Sequence, residues 1–570
     1  MRKKYTIYLF LILLGGFFLR VTWIGYGLPQ PGYFSSDEID TIGRSLKIAT
    51  GDLTPSHYNK PTFFNIVSLV IYGLVLSLSK ILGYVSNKED LIRLFIRNPT
   101  VYYLAGRMSS VTAGMMILFL VYRIGTRIKN RATGLLAALL LSCCYTSVRF
   151  AHIAKEDTLL TFLIYLTLWF SLKAQETGRR QRLFLSGICC GLAAATKYTG
   201  ILSILFPVLF LLSSLKNGEK LIRQMPVFFT IVLGAFIGFC VGMPFFVLHP
   251  LTFLKGVFAS SVFHQIQWQT LWLGGEHHYG FLFILKMFKE EFGSLMAIVG
   301  VLTFAALLSY FFTKKEDRER LFSHINWNVL TPIIVFTAIY LVILFSSGHL
   351  DYQYILPLSP FWALLSSLFL VSLYERKKIF MFSAIFFLII QEPLYHSVKF
   401  DMETLGTDTR IKAAEWMDKN ISPGDKIAFD TDYYYQYHPP IKISSESIRD
   451  LEKRAQEKGG TGTYFQLLEK YQRGAPLYHA RFLPMPTWLE RLKEEEIREY
   501  NPEKLKKDGF RWVVISSYYF DRIRIDPHPG WKPIRRFYEE MARRGIKAAQ
   551  FAPTAWRNLG PELIIYRLGD

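Results

Sequence analysis

Two stretches of this chain, Val227 to Leu248 and Val329 to Ser347, carry no charged side chain. A helix needs about 20 consecutive apolar residues to cross the hydrocarbon core of a bilayer. Inside that core every backbone polar group must find its partner within the chain, which leaves helices as the natural solution for such runs. Comparable runs recur up to about residue 400 and then stop. From Asp401 onward the sequence is charged and broken by Gly and Pro. The chain is read as a mainly α polytopic membrane domain over residues 1–400, followed by a small soluble α/β domain over 401–570. A composition of 51% hydrophobic residues over 570 positions fits this reading and not an ordinary soluble protein.

The formal charge of +21 would suggest nucleic acid on a soluble protein. Here the basic residues sit in short loops between apolar runs, which is the orientation signal of membrane proteins. No nucleic-acid partner is expected, and anionic membrane lipids are. All five cysteines (Cys143, Cys144, Cys189, Cys190, Cys240) lie in apolar segments. That pattern gives neither a disulfide framework nor a metal site, so they are read as buried small apolar residues. The N-terminal run to Leu28, interrupted by Arg20, is read as a first spanning helix with its basic end, Arg2 to Lys4, in the cytoplasm.

The basic clusters Arg123–Arg131, Lys173–Arg182, Lys216–Arg223, Lys314–Arg320 and Arg376–Lys378 are all assigned to the inside. If both Thr62–Val85 and Val101–Val121 crossed, Arg123–Arg131 would fall outside. The simplest repair lays Thr62–Val85 in the interface or lets it re-enter; an unassigned crossing elsewhere is the other. Leu183–Leu215 is too long for one helix and is read as a pair that turns near Lys197. Roughly eleven crossings result, plus juxtamembrane helices, with the soluble domain outside the cell membrane. Asp37, Glu38, Lys60, Glu156, Asp157, Lys197, His249 and the His349–Tyr354 loop then share one side. Ionisable groups at the ends of apolar helices are costly unless they have a function or a partner.

Adjacent carboxylates at Asp37 and Glu38 suit a general base beside a helper that binds or orients, as needed when an acceptor hydroxyl or amine attacks an anomeric carbon. The plain structural alternative is a helix N-cap. The segment Arg149-Phe-Ala-His152-Ile-Ala-Lys155-Glu156-Asp157 packs five ionisable residues between two apolar helices, and here too a capped turn is the alternative. Lys60, before Pro61, is placed to meet a lipid phosphate, since an ammonium binds phosphate as a point charge. Snorkelling is its alternative, and the same pair of readings applies to Lys197. Tyr352, Gln353 and Tyr354 gather just before another span, either to hold a sugar phosphate or as an interfacial belt. The loop with His249, His264, Trp268, Trp272, Glu276, His277 and His278 is read as a cover for the site or a metal ligand set, though it matches no zinc spacing.

Taken together and in this order, the motifs resemble the GT-C glycosyltransferase superfamily, in the branch of protein O-mannosyltransferases and the lipid A aminoarabinose transferase. The matching elements are Asp37-Glu38, Lys60-Pro61, His152 to Asp157, Thr196-Lys197-Tyr-Thr-Gly200 and Tyr352-Gln-Tyr354-Ile-Leu-Pro357-Leu-Ser-Pro360. Thr62 replaces the family's second proline, and Gln353 stands where the family often has arginine. The resemblance implies juxtamembrane helices in the first outer loop. It implies a polyprenyl-phosphate sugar donor (undecaprenyl- or dolichyl-phosphate) and inverting transfer to a protein, lipid or glycan acceptor. Asp37 becomes the base or holds the acceptor, Glu38 assists, and Asp157 contacts acceptor, sugar or metal. Lys60 holds the carrier phosphate, with Glu156, His152, Lys197, Tyr352, Gln353 and Tyr354 as further binding residues. A divalent metal is left open.

Two other classes compete. A transporter would use the same charges as a pathway, but the charges cluster at one face and no inverted repeat is visible. A non-catalytic receptor or assembly factor would not need paired acidic loops aimed at one place. In the tail, Thr407–Asn420 reads as a capped amphipathic helix, and Lys426–Asp430, Arg511–Ser517 and Leu563–Arg567 as strands. The tyrosine-rich Tyr433–Tyr437 is read as a sugar-binding or a lipid-facing surface.

Overall fold

A computed structural model describes residues 2–29, 36–55, 58, 60–216, 221–259, 279–309, 324–346, 351–431, 433, 437–457, 462–472, 477–484, 494–525 and 531–569. The first 400 residues form helices α1 (Arg2–Val21), α2 (Ser36–Ala49), α3 (Phe63–Ile81), α4 (Lys88–Arg97), α5 (Thr100–Ile128), α6 (Arg131–Cys143), α7 (Tyr145–Arg149), α8 (Glu156–Thr177), α9 (Arg180–Thr196), α10 (Leu205–Lys216), α11 (Leu221–Gly242), α12 (Pro244–Leu248), α13 (Tyr279–Phe292), α14 (Ser294–Ser309), α15 (Trp327–Ser346) and α16 (Ser359–Glu375). A last long helix, α17 (Ile379–Leu405), leads out of this bundle. Among the described residues eight helices are long and apolar enough to cross a membrane, or up to ten if two bent pairs each count as one span.

That is short of eleven. The pair expected across Leu183–Leu215 is present and does turn at Lys197, but α9 has 17 residues and α10 is preceded by a 3-10 turn, Tyr198–Ile204. Thr62–Val85, expected in the interface or re-entrant, forms a single 19-residue helix that meets the spanning criteria. It buries Phe64, Asn65, Ser68 and Tyr72 while Val70, Leu74, Leu78 and Ile81 stay exposed, the side that lipid would cover.

Glycine permits the closest helix contact. A Cβ on Gly191 of α9 would lie 2.0 Å from the Ala235 carbonyl oxygen, and one on Gly238 of α11 would lie 2.2 Å from that of Ile188. Lipid tails are as apolar as leucine, so such helices associate through van der Waals contact between backbones, which small residues allow. The core of the bundle centres on α16, where Trp362 is stacked on Phe292 and met edge-on by Phe288.

The helices break where the charged motifs lie. α6 and the α7 segment meet at 68°, and α13 and α14 at 108° around Gly293. Phe150–His152 and Tyr352–Leu358 are 3-10 turns. These interruptions carry side chains to one place from four parts of the chain.

After α17, helix α18 (Thr409–Asn420) is capped by Asp408, which accepts from Arg410 N at 2.8 Å. Five strands follow: β1 (Lys426–Phe429), β2 (His479–Phe482), β3 (Trp512–Ser516), β4 (Ile546–Phe551) and β5 (Leu563–Arg567), in the order β2-β1-β3-β5-β4. β1 is parallel to β2 and β3, and β5 is antiparallel to β3 and β4. Alternation along the strands feeds two cores. Ile427, Phe429 and Val514 join one with Met417, while Ala428, Val513 and Ile515 join the other with Phe537. The three expected strands are present within one or two residues, while β2 and β4 were not foreseen. This α/β region touches the bundle through a Tyr26–Asp408 hydrogen bond and through Tyr471, whose hydroxyl donates to Glu89 at 2.7 Å.

Candidate active site

Asp37 and Glu38 both lie in the first turn of α2, where the helix dipole favours negative charge. One residue of rotation separates their fates. Glu38 points inward and is fully buried. It accepts two parallel bonds from Arg107 of α5, both 2.9 Å, and a third from the Ala154 backbone N–H at 2.7 Å. Arg107 also donates to the carbonyls of Ile24 (2.6 Å) and Tyr26 (2.8 Å). An arginine fork matches a carboxylate in two places and fixes its orientation. Glu38 and Arg107 therefore lock together the chain after α1, the start of α2, the middle of α5 and the backbone just before Lys155.

Asp37 points the other way, with its side chain 35% exposed. Lys60 approaches one carboxylate oxygen at 3.3 Å, and Lys155 bonds the other. Lys60 also meets Asp40 at 3.1 Å, which is held in turn by Arg44 at 3.0 Å. Lys155 occupies the extended residue that precedes α8, anchored by Ser110, whose hydroxyl donates to the Ile153 carbonyl at 2.7 Å. Its ammonium touches the Gln353 side-chain oxygen and lies 3.8 Å from Asp157. The other oxygen of Asp157 takes Lys197 at 2.8 Å, and Lys197 in turn sits 4.5 Å from the centre of the Tyr354 ring. Glu156 is a further acidic neighbour of Lys60, Lys155 and Lys197.

Burial by itself would push the Asp37 carboxyl up, but the Lys155 and Lys60 ammoniums outweigh it and hold the group well below the usual carboxylate range. Burial likewise disfavours a charged Lys60, yet Asp37 and Asp40 raise its pKa above that of free lysine. Lys155 is raised in the same way by Asp37 and Asp157 against burial. Asp37 is therefore ionised at neutral pH beside the Lys60 and Lys155 ammoniums, each charge stabilising the other.

Of the residues singled out in the sequence, the fold thus brings together Asp37, Lys60, Glu156, Asp157, Lys197, Gln353 and Tyr354. Glu38 lies directly beneath them. His152 is buried with its ring nitrogens engaged by the Val148 carbonyl at 3.0 Å and the Thr22 carbonyl at 2.9 Å. Tyr352 turns toward Phe283 and the Glu290 carboxylate. His249 packs against Phe245 with the rings tilted by 43°. His264, Trp268, Trp272, Glu276, His277, His278 and His349 lie outside the described residues. Among the described residues no group of three or more His, Cys, Asp and Glu side chains is arranged to hold a metal.

Sequence reasoning passed over three members of this network. Lys155 sat inside a quoted motif without a role. Arg107 was a lone arginine within an apolar span, a signal that a buried partner exists. Asp40 sits three residues after Asp37, on the same face of α2.

Comparisons with known proteins bear on the fold. Residues 91–245 match the family described as dolichyl-phosphate-mannose-protein mannosyltransferase. The matched segment contains Arg107, Lys155, Asp157 and Lys197. Among solved structures, ArnT from Cupriavidus metallidurans bound to undecaprenyl phosphate is similar over 100% of both chains, at 14% identity and a TM-score of 0.50. The oligosaccharyltransferase of Archaeoglobus fulgidus in its apo form is similar over 91% of this chain and 71% of its own, at 11% identity and a TM-score of 0.52. The same enzyme tethered to an acceptor peptide is similar over 98% and 75%, at 12% identity and a TM-score of 0.51. No curated protein matches the sequence. The chain is an integral membrane protein with the GT-C glycosyltransferase fold. It resembles the branch of the protein O-mannosyltransferases and the lipid A aminoarabinose transferase.

Proposed function

We propose that this chain transfers a sugar from a polyprenyl-phosphate donor (undecaprenyl- or dolichyl-phosphate) to a protein, lipid or glycan acceptor at the extracytoplasmic face. The N-terminus is then cytoplasmic, and residues 401–570 form a separate domain outside. The observation that carries the proposal is the half-exposed Asp37 carboxylate flanked by Lys60 and Lys155. A base and two phosphate-binding cations share one spot at the edge of the bundle. The ArnT structure that this fold resembles holds undecaprenyl phosphate, the same class of carrier.

In the proposed reaction the donor phosphate draws Lys60 and Lys155 toward itself, which loosens their hold on Asp37. The acceptor hydroxyl or amine attacks the anomeric carbon as Asp37 takes its proton. The bond from that carbon to the phosphate oxygen breaks, and its electron pair leaves with the carrier as lipid monophosphate. The two ammoniums stabilise the charge that develops on this oxygen. A single displacement inverts the anomeric centre. Lys197 and Asp157 form the inner wall, and Gln353 orients Lys155.

The test is mass analysis of glycans and lipids from cells that carry the wild-type chain, the Asp37→Asn variant, or neither. A glycosylated species made only with the wild type supports the proposal. The same species made in full by the folded Asp37→Asn protein removes Asp37 as the base. No difference between cells with and without the chain removes the transferase reading.

A further inference from the structure

Beside the ion cluster lies a second polar space that the proposed chemistry does not use. A cavity of about 230 Å³ is lined by Tyr145, Glu290, His396, Lys399, Phe400 and Glu403. The last four lie on one face of α17, since residues three, four and seven apart stack on a helix. Tyr145 of α7 and Glu290 of α13 close the opposite side. Ionisable groups near the end of an apolar helix are expected to pair tightly or to serve a ligand. Here the ion pairs are loose: Lys399 to Glu403 is 3.8 Å, and Glu290 to Lys286 is 3.8 Å. Glu403 is held in place by the Trp556 backbone N–H at 3.1 Å, which brings the C-terminal region over the cavity.

The volume is many times the roughly 10–15 Å³ that one water needs. It is below the roughly 300–1,000 Å³ of sites for drug-sized ligands. That is the scale of one sugar ring. The lining also suits one. Two carboxylates accept from hydroxyls, Lys399 donates, and the edge-to-face pair of Tyr145 and Phe400, centroids 6.0 Å apart, supplies aromatic surface. The carboxylates are too few and too scattered to hold a metal.

The cavity is coupled to the ion cluster through one short element. Tyr352 lies beside the Glu290 carboxylate, while the next two residues, Gln353 and Tyr354, meet Lys155 and Lys197. We infer that this cavity is a binding subsite for a single hydroxyl-bearing sugar ring. Its role as the place where the acceptor's ring docks rests on the transferase reading above.

The experiment uses the full chain in detergent and a panel of methyl glycosides of a hexose, an N-acetylhexosamine and a pentose, followed by saturation-transfer NMR. At least one glycoside is expected to bind. Glu290→Gln and Tyr145→Phe should each weaken it about tenfold, the effect of losing one charge-assisted hydrogen bond. A second readout introduces His396→Cys and follows its labelling by a maleimide, which the bound glycoside should slow. If no glycoside binds, or if binding survives both substitutions in protein with a wild-type thermal transition, the subsite is overturned. Undecaprenyl monophosphate, titrated separately, reports on the carrier site. Its failure to bind with glycoside binding intact would break the transferase reading and leave this one standing.

Discussion

The floor and the mouth of the site are built from adjacent residues and behave as opposites. At the floor, Glu38 and Arg107 have side chains 0% and 1% exposed, and all three side-chain nitrogens of Arg107 donate. At the mouth, Asp37 and Lys60 are 35% and 30% exposed and their contacts are longer or shared. Two dry, mutually saturated charges cannot separate without a large desolvation cost, so they act as a strut. Charges that are partly wet and shared among several partners exchange partners cheaply. A phosphate can therefore enter the mouth and not the floor. The comparison divides one Asp-Glu dipeptide into a group that reacts and a group that holds the reacting group in place.

The sharpest way to break this division is to remove one side of the strut. Glu38→Ala or Arg107→Ala leaves an uncompensated buried charge, and a loss of about 3–5 kcal/mol is expected. Thermal unfolding in detergent measures it, and a variant as stable as wild type would show that the floor is not a strut. At the mouth, Asp37→Asn should cost less stability than either floor variant while transfer falls by about 10²–10⁴-fold, the usual contribution of a positioned base. Equal destabilisation by Asp37→Asn and Glu38→Ala would erase the contrast.

Removing a lysine from the mouth should have a smaller effect. Lys60→Ala is expected to weaken binding of undecaprenyl monophosphate about tenfold or somewhat more, as for one hydrogen bond to a charged group. It should also move the acidic limb of the pH–rate profile upward. Lys60 helps keep the Asp37 carboxyl below its ordinary range, so without it Asp37 is protonated at a higher pH and stops accepting protons there. An unmoved limb would separate Asp37 from the observed base.

A third kind of carboxylate sets a pH dependence. Asp430, at the end of β1, is fully buried with neutral partners, the Ser516 N–H at 2.9 and 3.1 Å and the Tyr538 hydroxyl at 3.1 Å. Burial pushes its carboxyl up to about 8. The folded state therefore keeps a proton that the unfolded chain has already lost above pH ~4, and Asp430 lowers stability as pH rises toward 8. Burial pushes His438 down to about 4. That term has the opposite sign and acts only below the ordinary histidine value of about 6.5. Between pH ~6.5 and 8 the His438 term no longer acts, and Asp430 should cost the C-terminal region up to about 2 kcal/mol. Hydrogen exchange at β3 measures the slope, which Asp430→Asn should flatten.

Much of this was legible in the sequence because it depends on local pattern. Apolar runs announced the bundle, and the buried strand Trp512–Ser516 was clear from its continuous apolar run. β4 was not, since its residues Ile546–Phe551 are mostly exposed and lack that run. β2 has only four residues and two charged or ionisable side chains within them. The motif from His152 to Asp157 showed that chemistry was concentrated there, but not which residue faces the site. His152 and Lys155 are three residues apart, and the 3-10 turn that sends one inward and the other to Asp37 has no strong sequence signal.

By itself the sequence determined that the chain resides in a membrane, roughly where its long apolar helices lie, and which short segments carry charge between them. These follow from transfer free energy and helical period, both of which are properties of neighbouring residues. Only the tertiary structure decided that Arg107 reaches Glu38 across 69 positions and that Lys155 meets Gln353 across 198. It also set the strut and the exchangeable pair back to back. A buried charge needs a partner but does not specify which one, and the choice is made by the packing of the helices that carry them.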